Sequence, residues 1–259
     1  MSMKRVAIVA GVAILGAASL SVYLWRQPLS IFIWERLHLT PLATFLNPDD
    51  AALQEEMGNY FFSTAHYDMR EARIHFERAI AINPAAPRAH YQLGRIYFIQ
   101  GQYARALAEL NTQLSLDPAF MRTHYMLGLV HAYAGDLDPA INDFKNFLKW
   151  KPESWAANND LAWVYFMQGE YARTLEQADV GLGYNPGNMW LLTMRGVALL
   201  NLGRKAEAKD AFASALAEVE KMTPADWSAA YPGNDPAIAA AALEEMKKAI
   251  EKNLALAQS

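Results

Sequence analysis

The chain of 259 residues contains no cysteine. That excludes disulfides, thiolate nucleophiles, zinc–thiolate sites and cysteine-linked lipid anchors. Basic charge is scarce as well: 23 Lys and Arg stand against 27 Asp and Glu, a net charge of −4. General nucleic-acid binding needs a basic face to neutralise phosphates, so this balance argues against it. Glycine (14 residues) and proline (12) are too few for a collagen-like or low-complexity chain. With 12% aromatic and 53% hydrophobic residues the chain is not disordered either. Phosphate-cradling glycine loops, GxSxG and HExxH are all missing. The six histidines, at 38, 66, 75, 90, 124 and 131, show no short metal-ligand spacing, and structural roles are expected for them. Carboxylates are plentiful, but their helical positions are expected to face solvent, and no nucleophile–base pair stands out. The expectation is a non-catalytic protein without metal or cofactor.

Charge is absent altogether from residues 6–25, VAIVAGVAILGAASLSVYLW. Twenty helical residues at about 1.5 Å each span a bilayer core of about 30 Å. Lys4 and Arg5 precede the run, Arg26 closes it, and Tyr23 and Trp25 stand where an interfacial aromatic belt belongs. A cleaved signal peptide is the alternative, with Gly16-Ala17-Ala18 as its small-residue site. The apolar run continues past that site to Trp25, which favours an uncleaved anchor over residues 1–26. The positive-inside rule then places the N-terminus in the cytoplasm and the rest across an inner membrane, in a bacterium the periplasm. Residues 27–50 form an apolar juxtamembrane segment. Pro28 is expected to start a helix, Thr40-Pro41 a second, and Asn47-Pro48-Asp49-Asp50 a third, with Asn47 as cap. Short helices lying on the membrane and helices packed on the folded part or on another subunit fit this pattern equally.

What dominates the remainder is a repeat. Pro84, Pro118, Pro152 and Pro186 are each 34 residues apart, as are Gly101, Gly135, Gly169 and Gly203. Gly94, Gly128, Ala162 and Gly196 share the same period. Between these marks the apolar spacing is helical; Ala106, Leu110 and Leu114, for example, recur at every fourth residue. The unit so described is a helical hairpin. Small residues let two helices approach, a glycine turns the chain, and a proline ends the second helix.

This pattern resembles the tetratricopeptide repeat (TPR), in which W-x2-L-G-x2-Y is followed by A-x3-F and P. Residues 87–120 match at Leu93, Gly94, Tyr97, Ala106 and Pro118. Residues 121–154 match at Leu127, Gly128, Ala140, Phe144 and Pro152, and 155–188 at Leu161, Tyr165 and Pro186. Residues 189–222 keep Gly196, Ala208 and Phe212 without the proline, and 51–86 keep Gly58, Ala72, Phe76 and Pro84 around a longer turn. Tryptophan is missing from the first pattern position, where His90, His124, Asn158 and Leu192 stand instead. The resemblance implies an all-α solenoid of five repeats over 51–222. Residues 223–259 would then supply an insertion bearing Trp227 and Tyr231, read as packing residues, and a capping helix. The expected apolar stripe of that helix is Ile238, Ala242, Met246, Ala249, Ile250 and Leu254. Glu244–Lys248 and Lys247–Glu251 are its expected surface pairs.

The resemblance also implies a concave groove lined by fixed positions of each repeat's first helix. Here these are Arg88, Tyr91, Arg95 and Phe98; Arg122, Tyr125, Leu129 and Tyr133; Asn159, Trp163, Phe166 and Met167; and Val197, Leu200 and Asn201. The carboxylate clamp of one TPR subclass is missing, since Glu55 stands where its lysine belongs. The groove is aromatic and apolar with an arginine edge, which suits a partner helix or extended peptide. Packing within the hairpins is the other reading of the same residues. The expected function is that of a membrane-anchored adaptor that assists assembly of a membrane or envelope complex. The alternative is a permanent accessory subunit of such a complex, docked through the anchor and juxtamembrane segments.

Overall fold

The computed structural model describes residues 25–231 and 234–259. The uncharged run falls outside the described residues except for Trp25. Among the described residues, no helix is long and apolar enough to cross a membrane. The chain is helical throughout, without a strand among those residues.

Residues 25–37 form α1. It is followed by α2 (Thr40–Leu46), α3 (Ala51–Phe61) and α4 (Met69–Ile82). Four hairpins come next: α5 (Pro87–Ile99) with α6 (Tyr103–Leu116), α7 (Arg122–Ala134) with α8 (Leu137–Trp150), α9 (Trp155–Met167) with α10 (Tyr171–Tyr184), and α11 (Met189–Asn201) with α12 (Lys205–Val219). A short α13 (Pro224–Ala230), a 3₁₀ turn (Pro236–Ile238) and α14 (Ala239–Gln258) complete the chain. The chain divides into two compact units, one holding residues up to 60 and 70–86, the other 61–69 and 87–259.

In the first unit, Ile33 and Trp34 of α1, Ala43 of α2, and Leu53 and Met57 of α3 share one core. Trp34 is only 2% exposed, and its indole donates to Glu56 at 3.0 Å. The Ser30 hydroxyl donates to the Ala43 carbonyl at 2.8 Å, and Arg26 donates to that of Leu46. Two sequence expectations are corrected here. Pro28 does not open a helix, since α1 already runs at Trp25. The third helix is capped by Asp50 rather than Asn47. The Asp50 carboxylate accepts from the Leu53 amide at 3.0 Å, and Asn47 serves by donating to that carboxylate at 2.9 Å. A cap three residues ahead of a free amide satisfies a donor that Asn47 could not reach.

Helices α1 and α2 therefore pack on α3, but with one face only. Trp25, Leu29, Phe32, Leu37, Leu39, Leu42 and Phe45 remain exposed, Phe45 to 78%.

The second unit repeats one construction. Each of α6, α8 and α10 stops two residues before its proline, as α4 does in the first unit. Gly101, Gly135, Gly169 and Gly203 turn each hairpin with φ between 69° and 92°, where a side chain would be strained. Within the hairpins the small residues sit under large ones. A Cβ on Gly128 would lie 2.8 Å from the Phe144 ring, and one on Gly196 2.7 Å from Phe212. Without a closing proline, α12 runs one residue longer than its counterparts.

The cap differs in part from the sequence expectation. Ala239, Leu243, Ile250 and Ala257 of α14 are buried, and Met246 and Leu254 pack beside them, whereas Ile238 and Ala249 are exposed. Ile238 falls in the 3₁₀ turn, ahead of the α-helix that begins at Ala239. Neither expected surface pair forms among the described ion pairs; Lys247 instead approaches Glu220 of the preceding segment at 3.8 Å.

Candidate functional site: an aromatic cleft with one carboxylate

In three successive repeats the missing tryptophan is replaced by a polar bridge between the two helices of a hairpin. His90 meets Glu109 at 2.7 Å, His124 meets Asp143 at 3.3 Å, and Asn158 accepts from Gln177 at 2.5 Å. All three pairs are 19 residues apart. In the first unit, His75 and Gln54 form the corresponding bond at 2.7 Å, 21 residues apart across the longer turn. His131 shares Asp143 at 2.9 Å. His90 and His124 thus each engage a carboxylate of their own hairpin. Burial, with Arg78 nearby, pushes the His75 imidazole down to about 4, so it is neutral at pH 7.

The second unit holds a cleft of about 520 Å³. Its walls come from Phe98 and Ile99 of α5, Tyr103 of α6, Tyr125, Leu129 and Tyr133 of α7, Asn159, Asp160 and Trp163 of α9, and Trp190, Thr193 and Met194 of α11. Tyr231, Asn234 and Met246 of the C-terminal region close it. The first-helix positions recur at the 34-residue period, which is why Tyr125, Asn159 and Thr193 come together. Tyr133 bridges the walls, with its ring 5.3 Å from Phe98 and 5.1 Å from Trp163. At the other end Trp190 stacks on Trp155 at 4.6 Å and meets Tyr231 edge-on at 5.9 Å.

Asp160 is the one charged residue of this wall among the described residues. Its carboxylate accepts from the Tyr125 hydroxyl at 2.7 Å and from the Asn159 amide at 3.2 Å. It has no ion-pair partner among the described residues. Burial raises its pKa to about 6, and the two hydrogen bonds oppose that rise only in part. The phenols of Tyr125, Tyr133 and Tyr231 are all pushed above the usual tyrosine value, first by burial and then by the Asp160 charge.

Of the residues expected to line the groove, Phe98, Tyr125, Leu129, Tyr133, Asn159 and Trp163 meet at this cleft. The others lie elsewhere. Tyr91 packs edge-on to Phe120 at 5.0 Å, and the Arg95 guanidinium lies over the Phe62 ring at 4.7 Å. Arg88 and Arg122 are both exposed. Phe166 packs with Tyr171 at 5.6 Å, and Met167 faces solvent. Val197 and Leu200 join the core beneath α14 instead of lining a groove, because the cap covers that end of the array. Asn201 is exposed and donates to the Val197 carbonyl of its own helix at 2.9 Å.

Two expectations are corrected. The carboxylates do not all face solvent: Asp160 lies in the cleft. A sequence sign existed, since Asp160 is the only charged residue of α9, WAANNDLAWVYFM. Tyr231, read as a packing residue, packs and lines the cleft at once.

Tetratricopeptide-repeat family profiles match residues 64–125 and 125–188. Residues 64–188, just under half of the chain, match tetratricopeptide repeats. Solved structures agree in fold. MamA, 41 to the end, from Desulfovibrio magneticus RS-1 superposes with a TM-score of 0.61 at 16% identity, covering 66% of this chain and 96% of that one. YrrB, described as a TPR protein with an unusual peptide-binding site, gives 0.57 at 17% identity over 69% of this chain and 91% of its own. A tetratricopeptide repeat protein from Parabacteroides merdae gives 0.54 at 18% identity, over 92% of this chain and 84% of its own. No curated protein matches the sequence. The fold is an all-helical TPR solenoid, and folds of this family are typically non-catalytic protein-interaction modules.

Proposed function

We propose that this protein is a non-catalytic, membrane-anchored scaffold that holds a segment of a partner protein in the cleft of its TPR unit. The observation that carries the reading is the cleft itself: an aromatic trough built from four successive repeats and walled at one end by the C-terminal region. Aromatic side chains dominate the energetics of protein interfaces. Peptide binding by a TPR neighbour of this fold, YrrB, supports the choice of ligand class. The anchor rests on the uncharged run 6–25, flanked by Lys4, Arg5 and Arg26, which sets the N-terminus in the cytoplasm and the TPR units in the periplasm. The role of such a scaffold is assembly of a membrane or envelope complex.

The test is capture by the full-length chain from mild-detergent membranes, paired with a thermal melt. In Trp163→Ala, lost capture with a melting temperature lowered by only a few degrees supports the cleft. Unchanged capture refutes it. A second reading, a permanent subunit of a membrane complex, is favoured by the seven exposed apolar side chains of residues 25–46. It requires a stoichiometric partner that Trp163→Ala retains and Phe45→Glu loses.

A further inference from the structure

The cleft's chemistry narrows what it takes. Its wall carries two aromatic groups, Phe98 with Tyr133 and Trp163, and Trp190 with Tyr231, together with a single carboxylate among the described residues. Asp160 faces three phenols and an amide, and among the described residues no arginine, lysine or histidine lines the cleft. A carboxylate held among aromatic rings without a cation is poorly solvated and uncompensated. Aromatic faces carry negative potential and attract cations, as does the carboxylate. Both features therefore favour the same class of group, and both disfavour an acidic one. The Tyr125 and Asn159 hydrogen bonds fix the Asp160 carboxylate, so no reorganisation is needed when a cation arrives.

We propose that the cleft recognises a protonated lysine or arginine side chain of the partner segment, which pairs with the Asp160 carboxylate and lies against the Tyr133 and Trp163 rings. The proposal rests on the reading that the cleft binds a partner segment, and it makes the segment basic at one fixed position, the reverse of a carboxylate-binding groove. Asparagine at position 160 keeps an acceptor for the Tyr125 hydroxyl and removes the charge, so it separates recognition from structure.

The test selects a displayed library of random peptides on the full-length chain in detergent micelles, in parallel with Asp160→Asn and Trp163→Ala. Peptides selected by the unaltered chain are expected to share one lysine or arginine position. Replacing that residue by norleucine should weaken binding by about tenfold or more for the unaltered chain and by clearly less for Asp160→Asn, where only the ring contacts still favour a cation. Affinity should also fall as the pH drops through about 6, where Asp160 takes up a proton, and Asp160→Asn should abolish that dependence. The phenols of the wall remain neutral over this range. Peptides that depend on Trp163 but share no basic position, or a norleucine effect undiminished in Asp160→Asn, overturn the proposed pairing of a cation with Asp160 and leave the cleft as a binding site. Finding no peptide that depends on Trp163 overturns both.

Discussion

The phenol of Tyr125, on α7, donates a 2.7 Å hydrogen bond to the carboxylate of Asp160, on α9, 35 residues further along the chain. The bond joins the first helices of two neighbouring repeats at the wall of the cleft. It holds the carboxylate in place without neutralising it, and that has consequences for stability and pH.

Asp160 has a folded pKa of about 6 against an ordinary 3.8. Between those values the folded chain binds more protons than the unfolded one, so this group lends stability as the pH falls and withdraws it as the pH rises through about 6. His75 acts in the opposite sense. Its folded value of about 4 lies below the ordinary 6.5, so the unfolded chain binds more protons in that window and stability is lost as the pH falls. Asp160→Asn should raise stability at neutral pH by up to about 2 kcal/mol. It should also make the loss on acidification steeper. His75→Gln should flatten that loss. Thermal melts of both variants between about pH 4.5 and 7.5 check the pair. An Asp160→Asn chain with an unshifted neutral melt would mean that its carboxylate is well solvated.

Close helix approach makes a second prediction. A side chain at Gly128 would collide with the Phe144 ring, whereas nothing lies within 4 Å of a Cβ at Gly183 of α10. Gly128→Leu should cost about 3 kcal/mol or more, since the ring has no empty space to enter. Gly183→Ala should be neutral or stabilise by up to about 1 kcal/mol, because alanine favours a helix over glycine. Denaturant midpoints of the two variants make the comparison.

The third prediction concerns the polar bridges. His90–Glu109, His124–Asp143 and Asn158–Gln177 are equivalent bonds in three successive repeats, so one should replace another. Changing both members of the first pair, His90→Asn with Glu109→Gln, should cost less than His90→Ala alone, which leaves Glu109 without its partner. The expected difference is about 1 kcal/mol, read from denaturant unfolding. A double variant as unstable as the single one would show that the bridge depends on charge.

These cases show how far the sequence carries the structure. The period of prolines and glycines placed the hairpins because those residues act through local backbone geometry: helices end two residues before Pro84, Pro118, Pro152 and Pro186, and chains turn at Gly101 and its counterparts. Six of the expected groove residues met at the cleft for the same reason, since the period fixes which positions of each helix face alike. Asp160 escaped because helical periodicity places a charge on the solvent side by default, and only the packing of α9 beside Tyr125 overrides that. Val197 and Leu200 escaped because their repeat is the last one, and α14 covers the surface that earlier repeats leave open. The stripe of α14 was legible in part: Met246, Ile250 and Leu254 pack as the apolar spacing implies, whereas Ile238 falls in the 3₁₀ turn ahead of the helix and Ala249 is exposed.

The final prediction concerns the uncovered side of α1 and α2. Leu29, Phe32, Leu42 and Phe45 are exposed while Ile33, Trp34 and Ala43 of the same helices are buried. The two helices are thus apolar on both faces, and only one face has a protein core to meet. Exposed apolar surface of this extent is rare on soluble proteins and common where a membrane or partner covers it. The chain lacks cysteine, so single thiols can report the cover directly. Phe32→Cys and Phe45→Cys place thiols on this face, and Glu176→Cys places a reference on the exposed side of α10. In unsealed native membranes a charged maleimide should label the reference and spare positions 32 and 45. After solubilisation and purification as a single chain, partner-covered thiols should become as reactive as the reference, and lipid-covered ones should stay protected by the surrounding detergent. Full labelling at 32 and 45 in native membranes would show that neither lipid nor a subunit covers this face.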